Sequence, residues 1–196
     1  MFGLFRGSNN SLVITYANNA GSFNPAIEAS VRTAIINGFD DFKWDGHGIT
    51  SSVSEEDAAS GVPYGGNSAV GYADNNDIGN SSIGNNSVLV RFTYYGDADL
   101  NGVVNLNDFD DWLYGYTGGT GTAGDVNWSV GDFAYTGHVD LNDFDLWLAS
   151  YTSGNGSLNT LDHAIDVSTL STSQKTELLD IVASVVLVTF HFNPTN

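Results

Sequence analysis

The sequence contains no cysteine and very few basic residues. Without cysteine, disulfides, thiolate metal sites and cysteine nucleophiles are all excluded. The 196 residues include 5 Lys and Arg against 23 Asp and Glu, which gives a formal net charge of -18. Nucleic acids and anionic membranes bind basic surfaces, so we expect neither as a partner. Divalent cations are the partners that this excess of carboxylates favours.

Long apolar runs are also missing. No run approaches the roughly 18 residues that a membrane-spanning helix requires, so we expect no membrane span. The first residues, MFGLFRG, lack the apolar core of a signal peptide, and we expect any export signal to have been removed or to lie outside this chain. An acidic chain without disulfides fits an extracellular bacterial protein that calcium stabilises. We therefore expect an extracellular or cell-surface location.

Local patterns predict an α+β fold that begins with a small β-rich domain. Runs of β-branched and aromatic residues predict strands at 11–17 and 87–95, and SAVGYA predicts a shorter one. Between them lies an amphipathic helix predicted over 25–37, with Asn24 as its N-cap and Gly38 as its C-terminal stop.

The C-terminal part has a different pattern. We predict a turn-rich connector at 152–160, TSGNGSLNT, and a helix at 171–185, STSQKTELLDIVASV. In 184–192, SVVLVTFHF, apolar residues alternate onto one face, which predicts an apolar strand that is buried or pairs with another subunit. We therefore predict a β-rich domain at 1–95, a duplicated module at 96–152, and a C-terminal helix and strand at 153–196. This last segment is expected to pack on the β-rich domain or on a neighbouring subunit.

The duplicated module begins with GDADLNGVVNLNDFDDWL at Gly96, which recurs as GDFAYTGHVDLNDFDLWL at Gly131. An EF-hand-type loop binds calcium through oxygens at positions 1, 3, 5, 7, 9 and 12, and it turns at a glycine in position 6. Loop 1, residues 97–108, has Gly102 at that turn. Its six ligand positions are Asp97, Asp99, Asn101, Val103 through its backbone carbonyl, Asn105 and Asp108. Loop 1 is therefore predicted to bind Ca²⁺, and the alternative is an Asx-rich turn without a metal.

Loop 2, residues 132–143, keeps the scaffold but has fewer ligands. Ala134 at position 3 has no side-chain oxygen, and the residue at position 5 is a neutral threonine. Because ligand number and charge set calcium affinity, we expect a second, weaker site. Its candidate ligands are Asp132, Thr136, His138 through its backbone carbonyl, Asp140 and Asp143.

Each loop is followed by apolar residues at the spacing of one helical face, i, i+3, i+4 and i+7. We predict a helix after each loop, with the two apolar faces burying each other. The residues are Phe109, Trp112, Leu113 and Tyr116 after loop 1, and Phe144, Trp147, Leu148 and Tyr151 after loop 2.

Two such loops, each with Asp at position 12 and each followed by one helix, resemble the duplicated calcium loops of type I dockerin domains. The variant seen here is similar to a dockerin-like module found near the C-termini of large secreted bacterial proteins. The specific resemblance covers 97–152, and a looser one covers about 12–95. It implies Ca²⁺ as the cofactor and, as one function, anchoring to a cohesin-like or cell-surface protein.

Dockerins recognise cohesins through loop positions 10 and 11 and a basic residue further along the helix. Those positions here are Leu106–Asn107 and Leu141–Asn142, and neither helix carries a Lys or Arg. This departure from the family pattern disfavours a cohesin as the partner.

Other candidate sites are weaker. Acidic residues near Asp40–Asp45 and Asp74–Asp77 are either additional calcium ligands or solvated loops. The 4 histidines show no close pairing, so a zinc site is not expected. No carboxylate pair or nucleophile motif stands out, and we predict that the chain is not an enzyme.

These patterns lead to one functional expectation and one alternative. We expect a non-catalytic extracellular calcium-binding structural protein that assembles with itself as a filament or surface-layer subunit. This homo-oligomer or polymer would form through strand 184–192. The alternative is a dockerin-like adhesion or anchoring module.

Overall fold

The computed structural model describes residues 5–7, 11–17, 23–61 and 66–191. It combines helices with two small sheets, so the α+β prediction is confirmed. In chain order the elements are β1 (Phe5–Gly7), β2 (Ser11–Thr15), α1 (Pro25–Phe39), β3 (Ile49–Ser51), α2 (Ser52–Ala59), β4 (Ser68–Asp74), α3 (Asn75–Ile78), β5 (Ser87–Tyr94), α4 (Leu106–Tyr116), a 3-10 helix (Trp128–Val130), α5 (Leu141–Ser153), α6 (Leu158–Val167) and α7 (Thr172–His191).

The larger sheet is antiparallel and has the order β2-β5-β4, with β5 in the centre. Val13 pairs with Leu89 on one side of β5, and Tyr72 pairs with Val90 on the other. These three strands are the ones that the sequence predicts at 11–17, at 87–95 and in SAVGYA. A second, two-stranded sheet pairs β1 with β3 in parallel. Because β5 runs directly into loop 1, the central strand positions this loop.

Helix α1 extends to Phe39, beyond its predicted end, and Gly38 is not its stop. Gly38 lies inside the helix. A glycine is needed there because any side chain would collide with the backbone carbonyl of Ile49 in β3. The C-cap of α1 is Asp40, whose φ of 41° is left-handed. Asn24 is at the N-cap position as predicted, but its side chain makes no capping hydrogen bond.

The predicted C-terminal strand is wrong: residues 184–191 belong to helix α7, and 192 lies outside the described residues. Ser171 and Gln174 form reciprocal hydrogen bonds at the start of this helix, at 3.1 and 3.4 Å. No Gly or Pro interrupts the chain from there to His191, and the helix penalty of Val, Ile and Thr is small. The helix therefore continues through the apolar run.

Sequence patterns also missed helix α6, which lies partly in the predicted connector. Ser157 caps this helix by accepting a hydrogen bond from the backbone of Thr160 at 3.4 Å. Leu161 of α6 and Leu178 of α7 are both fully buried in the common core. Among the described residues, no helix has the length and apolarity needed to cross a membrane.

The buried core runs continuously from the sheets into the duplicated segment. Tyr135 of loop 2 packs on Trp128 at 5.4 Å and on Trp44 at 6.0 Å between ring centroids. Its hydroxyl donates to the backbone carbonyl of Val70 in β4 at 2.8 Å. Loop 2 is thereby attached to the larger sheet, while the predicted domain boundaries after residues 95 and 152 stay predictions.

Candidate metal centre

The two copies of the repeated segment have the same local structure. Asn105 and Asp140, at position 9 of their loops, are the N-caps of α4 and α5. Asp108 and Asp143, at position 12, complete a capping box in each helix, and their carboxylates accept from the cap backbone at 2.8 and 2.9 Å. The position-12 aspartate therefore has two roles: it closes the loop, and it caps the start of the exiting helix.

The two exiting helices bury each other's aromatic faces, as the sequence predicts. Phe109 of α4 packs on Trp147 of α5 at 5.4 Å, and Phe144 of α5 packs on Trp112 of α4 at 5.1 Å. All four rings are at most 1% exposed. These contacts are reciprocal, so the repetition in the sequence is repeated in the packing.

A glycine precedes each loop for a steric reason. Gly96 has a φ of 94° and Gly131 a φ of 104°, both of which favour glycine. A Cβ on Gly96 would lie 2.7 Å from Trp147, and one on Gly131 would lie 2.8 Å from Trp112. Each loop therefore starts against the exiting helix of the other copy.

Loop 1 brings three carboxylates together. One oxygen from each of Asp97, Asp99 and Asp108 lies within 4.8 Å of the others, and this is the only such acidic or histidine group in the part of the chain that the structure describes. Asp97 and Asp108 are fully buried. The backbone N–H groups of Asn101 and Gly102 donate to Asp97 at 3.0 and 2.9 Å, which holds the carboxylate in the turn.

Burial and mutual repulsion both disfavour the charged forms of these acids. Burial, and to a smaller extent the negative charge of Asp99, raise the pKa of Asp97 to about 6, although hydrogen bonds from Thr93 and Gly102 act to lower it. Burial likewise raises the pKa of Asp108 to about 7, with contributions from the charges of Asp99 and Asp97. Nearby Asp111 has a pKa of about 6, mainly because of burial and then because of Asp99. A cation among these groups would remove the repulsion.

The other predicted ligands of loop 1 lie on its more exposed side. The side-chain amide of Asn101 donates to Asp99 at 2.7 Å, and the amide of Asn105 donates to the carbonyl of Val103 at 3.5 Å. Carboxylate, amide and carbonyl oxygens form the ligand set that Ca²⁺ prefers. The residues of loop 1 therefore fit the ion.

Loop 2 differs because an arginine enters it. Nη2 of Arg32, in α1, donates to Oδ2 of Asp132 at 3.1 Å and to the carbonyl of Tyr135 at 2.8 Å. The Asp132 side chain is fully buried, and the backbone N–H of Gly137 also donates to its Oδ2, at 3.0 Å. Burial raises the pKa of Asp132, whereas the ion pair with Arg32 lowers it.

The remaining candidate ligands of loop 2 make local contacts. Thr136 Oγ1 donates to the carbonyl of His138 at 3.2 Å, and Asp140 accepts from the backbone of Asn142 at 2.8 Å. Asp143 is buried, and its pKa is raised to about 7 chiefly by burial. Within the described ranges, loop 2 forms no group of three converging carboxylates like that of loop 1. Metal binding by loop 2 stays a prediction.

Sequence reasoning missed the side chains that support the two loops. Arg91 Nη1 donates to the carbonyl of Leu100 at 2.6 Å, and the Thr93 hydroxyl donates to Asp97. Both donors lie in β5 immediately before loop 1, so their position in the strand was an available signal. Arg32 is far from loop 2 in the sequence, and no pattern linked the two.

The other acidic segments are not assembled in the same way. Asp40 is exposed and pairs with Lys43 at 3.4 Å. Asp74 is buried, accepts the Tyr16 hydroxyl at 2.6 Å and caps helix α3. Neither segment contributes to a group of three convergent carboxylates among the described residues.

A buried acid lies on the same helix as Arg32. Glu28 is 1% exposed, and the side-chain amide of Asn127 bridges it to Asp77, at 3.0 and 3.3 Å. Its second oxygen, Oε2, has no hydrogen-bond partner in the described part of the chain. Burial raises the pKa of Glu28 to about 8, with further contributions from the charges of Asp125, Asp77 and Asp74. Glu28 is therefore expected to hold a proton at neutral pH.

No family model, curated protein or solved structure gives a significant match to this chain.

Proposed function

We propose that the chain is a non-catalytic, extracellular structural protein whose fold is stabilised by a calcium ion in loop 1. The observation that carries this proposal is the convergence of three carboxylates, two of them fully buried, in a loop with EF-hand spacing. The proposed ligands are Asp97, Asp99, Asn101, Val103, Asn105 and Asp108.

The ion would supply charge neutralisation at a junction of the fold. Loop 1 starts where β5 ends, and its last residue, Asp108, lies in the first turn of α4. The backbone N–H of Ala98 donates to Asp108 at 2.9 Å, so the two ends of the loop are already in contact. A ligand that binds the folded loop and not the unfolded chain stabilises the fold by mass action.

Calorimetric titration of calcium tests this proposal. The wild-type protein is expected to bind one calcium ion tightly. Asp99→Asn is expected to lower the affinity for that ion about tenfold or more, because one charged ligand is lost. Asp110→Asn is the matched control, since Asp110 is an exposed aspartate of α4 outside the cluster. The proposal fails if the wild-type protein binds no calcium or if the two variants bind it equally.

Self-assembly and dockerin-like anchoring stay predictions from the sequence. Pairing through a strand at 184–192 is no longer part of them, because 184–191 is helical. Light scattering in calcium and then in chelator separates the two: reversible large assemblies favour self-assembly, and a monodisperse monomer in both favours anchoring.

A further inference from the structure

Each calcium-type loop is contacted by one of the 5 basic residues of the chain. In loop 1, the Arg91 guanidinium donates to the carbonyl of Leu100, at loop position 4. In loop 2, the Arg32 guanidinium donates to the equivalent carbonyl, that of Tyr135. Leu100 and Tyr135 have nearly the same left-handed backbone, with φ values of 56° and 58°. The two arginines thus approach corresponding points of the two loops from different elements, β5 and α1.

The two arginines differ in one contact. Arg32 also forms an ion pair with the position-1 carboxylate of its loop, Asp132, at 3.1 Å. At the corresponding place in loop 1, the carboxylate of Asp97 accepts a hydrogen bond from the uncharged hydroxyl of Thr93. The first aspartate of loop 2 therefore already has a cation beside it, whereas the first aspartate of loop 1 is hydrogen-bonded by an uncharged group.

We propose that Arg32 serves loop 2 as a built-in cation, which holds the loop in place without a metal and suppresses binding of a divalent ion there. This inference rests on the proposed function of loop 1 only for the comparison between the loops. The guanidinium donates both to one oxygen of a fully buried carboxylate and to a loop carbonyl, a role that a bound cation would otherwise fill. It also adds a positive charge that repels a second cation.

Loop 2 nevertheless keeps enough oxygens to bind an ion once the guanidinium is removed. Arg32 and the N–H of Gly137 both use Oδ2 of Asp132. The other oxygen, Oδ1, is buried and has no hydrogen-bond partner among the described residues. Asp143 lies in the same loop and is also fully buried. Removing Arg32 would leave Asp132 without its cation, close to a second buried acid of the same loop.

The test is a calcium titration by calorimetry of four full-length proteins: wild type, Asp99→Asn, Arg32→Met and the double variant. Wild type is expected to bind one ion tightly, and Asp99→Asn is expected to bind that ion with lower affinity. Arg32→Met is expected to bind a second ion about tenfold or more tightly than wild type does, and the double variant should retain that ion. Lys43→Met is the control and is expected to leave the number of ions and their affinities unchanged, because Lys43 is exposed and pairs with Asp40, outside both loops.

The inference is overturned if Arg32→Met binds the same number of ions as wild type with the same affinities. If Arg32→Met is unfolded in chelator, refolding by calcium in both the single and the double variant supports the inference, and failure to refold overturns it. These outcomes are separate from the proposed function of loop 1. That function fails if the wild-type protein lacks an ion that Asp99→Asn weakens, whatever Arg32→Met does.

Discussion

Saturating calcium is expected to raise the free energy of unfolding of the wild-type protein by about 4 kcal/mol when its concentration is about 1,000 times Kd. Most of this gain is expected to vanish in Asp99→Asn. In chelator, Asp99→Asn is expected to be more stable than wild type. The reason is that it has one fewer negative charge in the cluster with Asp97 and Asp108. Urea unfolding followed by circular dichroism, in calcium and in chelator, measures both differences.

Asp99→Asn is expected to lower the free energy of unfolding in calcium and to raise it in chelator. This change of sign distinguishes a metal ligand from a structural hydrogen-bond acceptor. Asp99 also accepts from the backbone of Asn101 at 2.9 Å, and loss of that bond alone would lower stability in both solutions. An equal loss with and without calcium would therefore contradict the proposed role of Asp99. Asp110→Asn, on the exposed side of α4, is expected to leave the calcium-dependent gain intact.

Glu28→Gln is expected to remove a large part of the pH dependence of stability. The pKa of Glu28 rises from its ordinary value of 4.5 to about 8 in the folded protein, mainly because of burial and then because of Asp125. The folded state therefore favours the protonated acid. Its contribution to stability is fully present below about pH 4.5 and is lost as pH rises through 8. At pH 7 the wild-type protein would have lost about 3 kcal/mol of this contribution.

The measurement is urea unfolding at pH 5 and pH 8 in saturating calcium, so that the loop 1 carboxylates stay neutralised at both pH values. Glu28→Gln should be stabilised relative to wild type at pH 8 and nearly equal to it at pH 5. Glu56→Gln, at an exposed position of α2, is the matched control and should follow the wild-type dependence. Identical pH dependence of stability in wild type and Glu28→Gln would show that Glu28 is ionised in the folded protein, with an ordinary pKa.

The parts of the fold that the sequence predicts well are those specified by neighbouring residues. Asp97 and Asp108 are separated by a single loop, and the hydrogen bonds that hold their carboxylates come mostly from the backbone of that loop. The spacing of Phe109 and Trp112 likewise predicts the helix α4 and its buried face without knowledge of the rest of the chain. Local spacing was sufficient in both cases.

The structure departs from the sequence predictions where a pattern has two physical solutions or where the partner residue is distant in the sequence. A run rich in Val and Leu at 184–192 alternates as a strand would, but it also continues a helix that Ser171 has already started. Gly38 looked like a helix stop, although its real constraint is the backbone of Ile49. Arg32 reaches Asp132 across 100 residues, and no local spacing records that contact.

Loop 1 is expected to bind calcium, and to bind it more tightly than loop 2 does. The backbone N–H of Gly102 donates to Asp97 at 2.9 Å, and that of Gly137 donates to Asp132 at 3.0 Å, so one amide proton reports on each loop. In a calcium titration followed by amide NMR, the Gly102 resonance is expected to shift to completion near one equivalent while Gly137 moves little. If the Gly102 resonance does not move, or if Gly137 responds first, loop 1 is not the tighter calcium site.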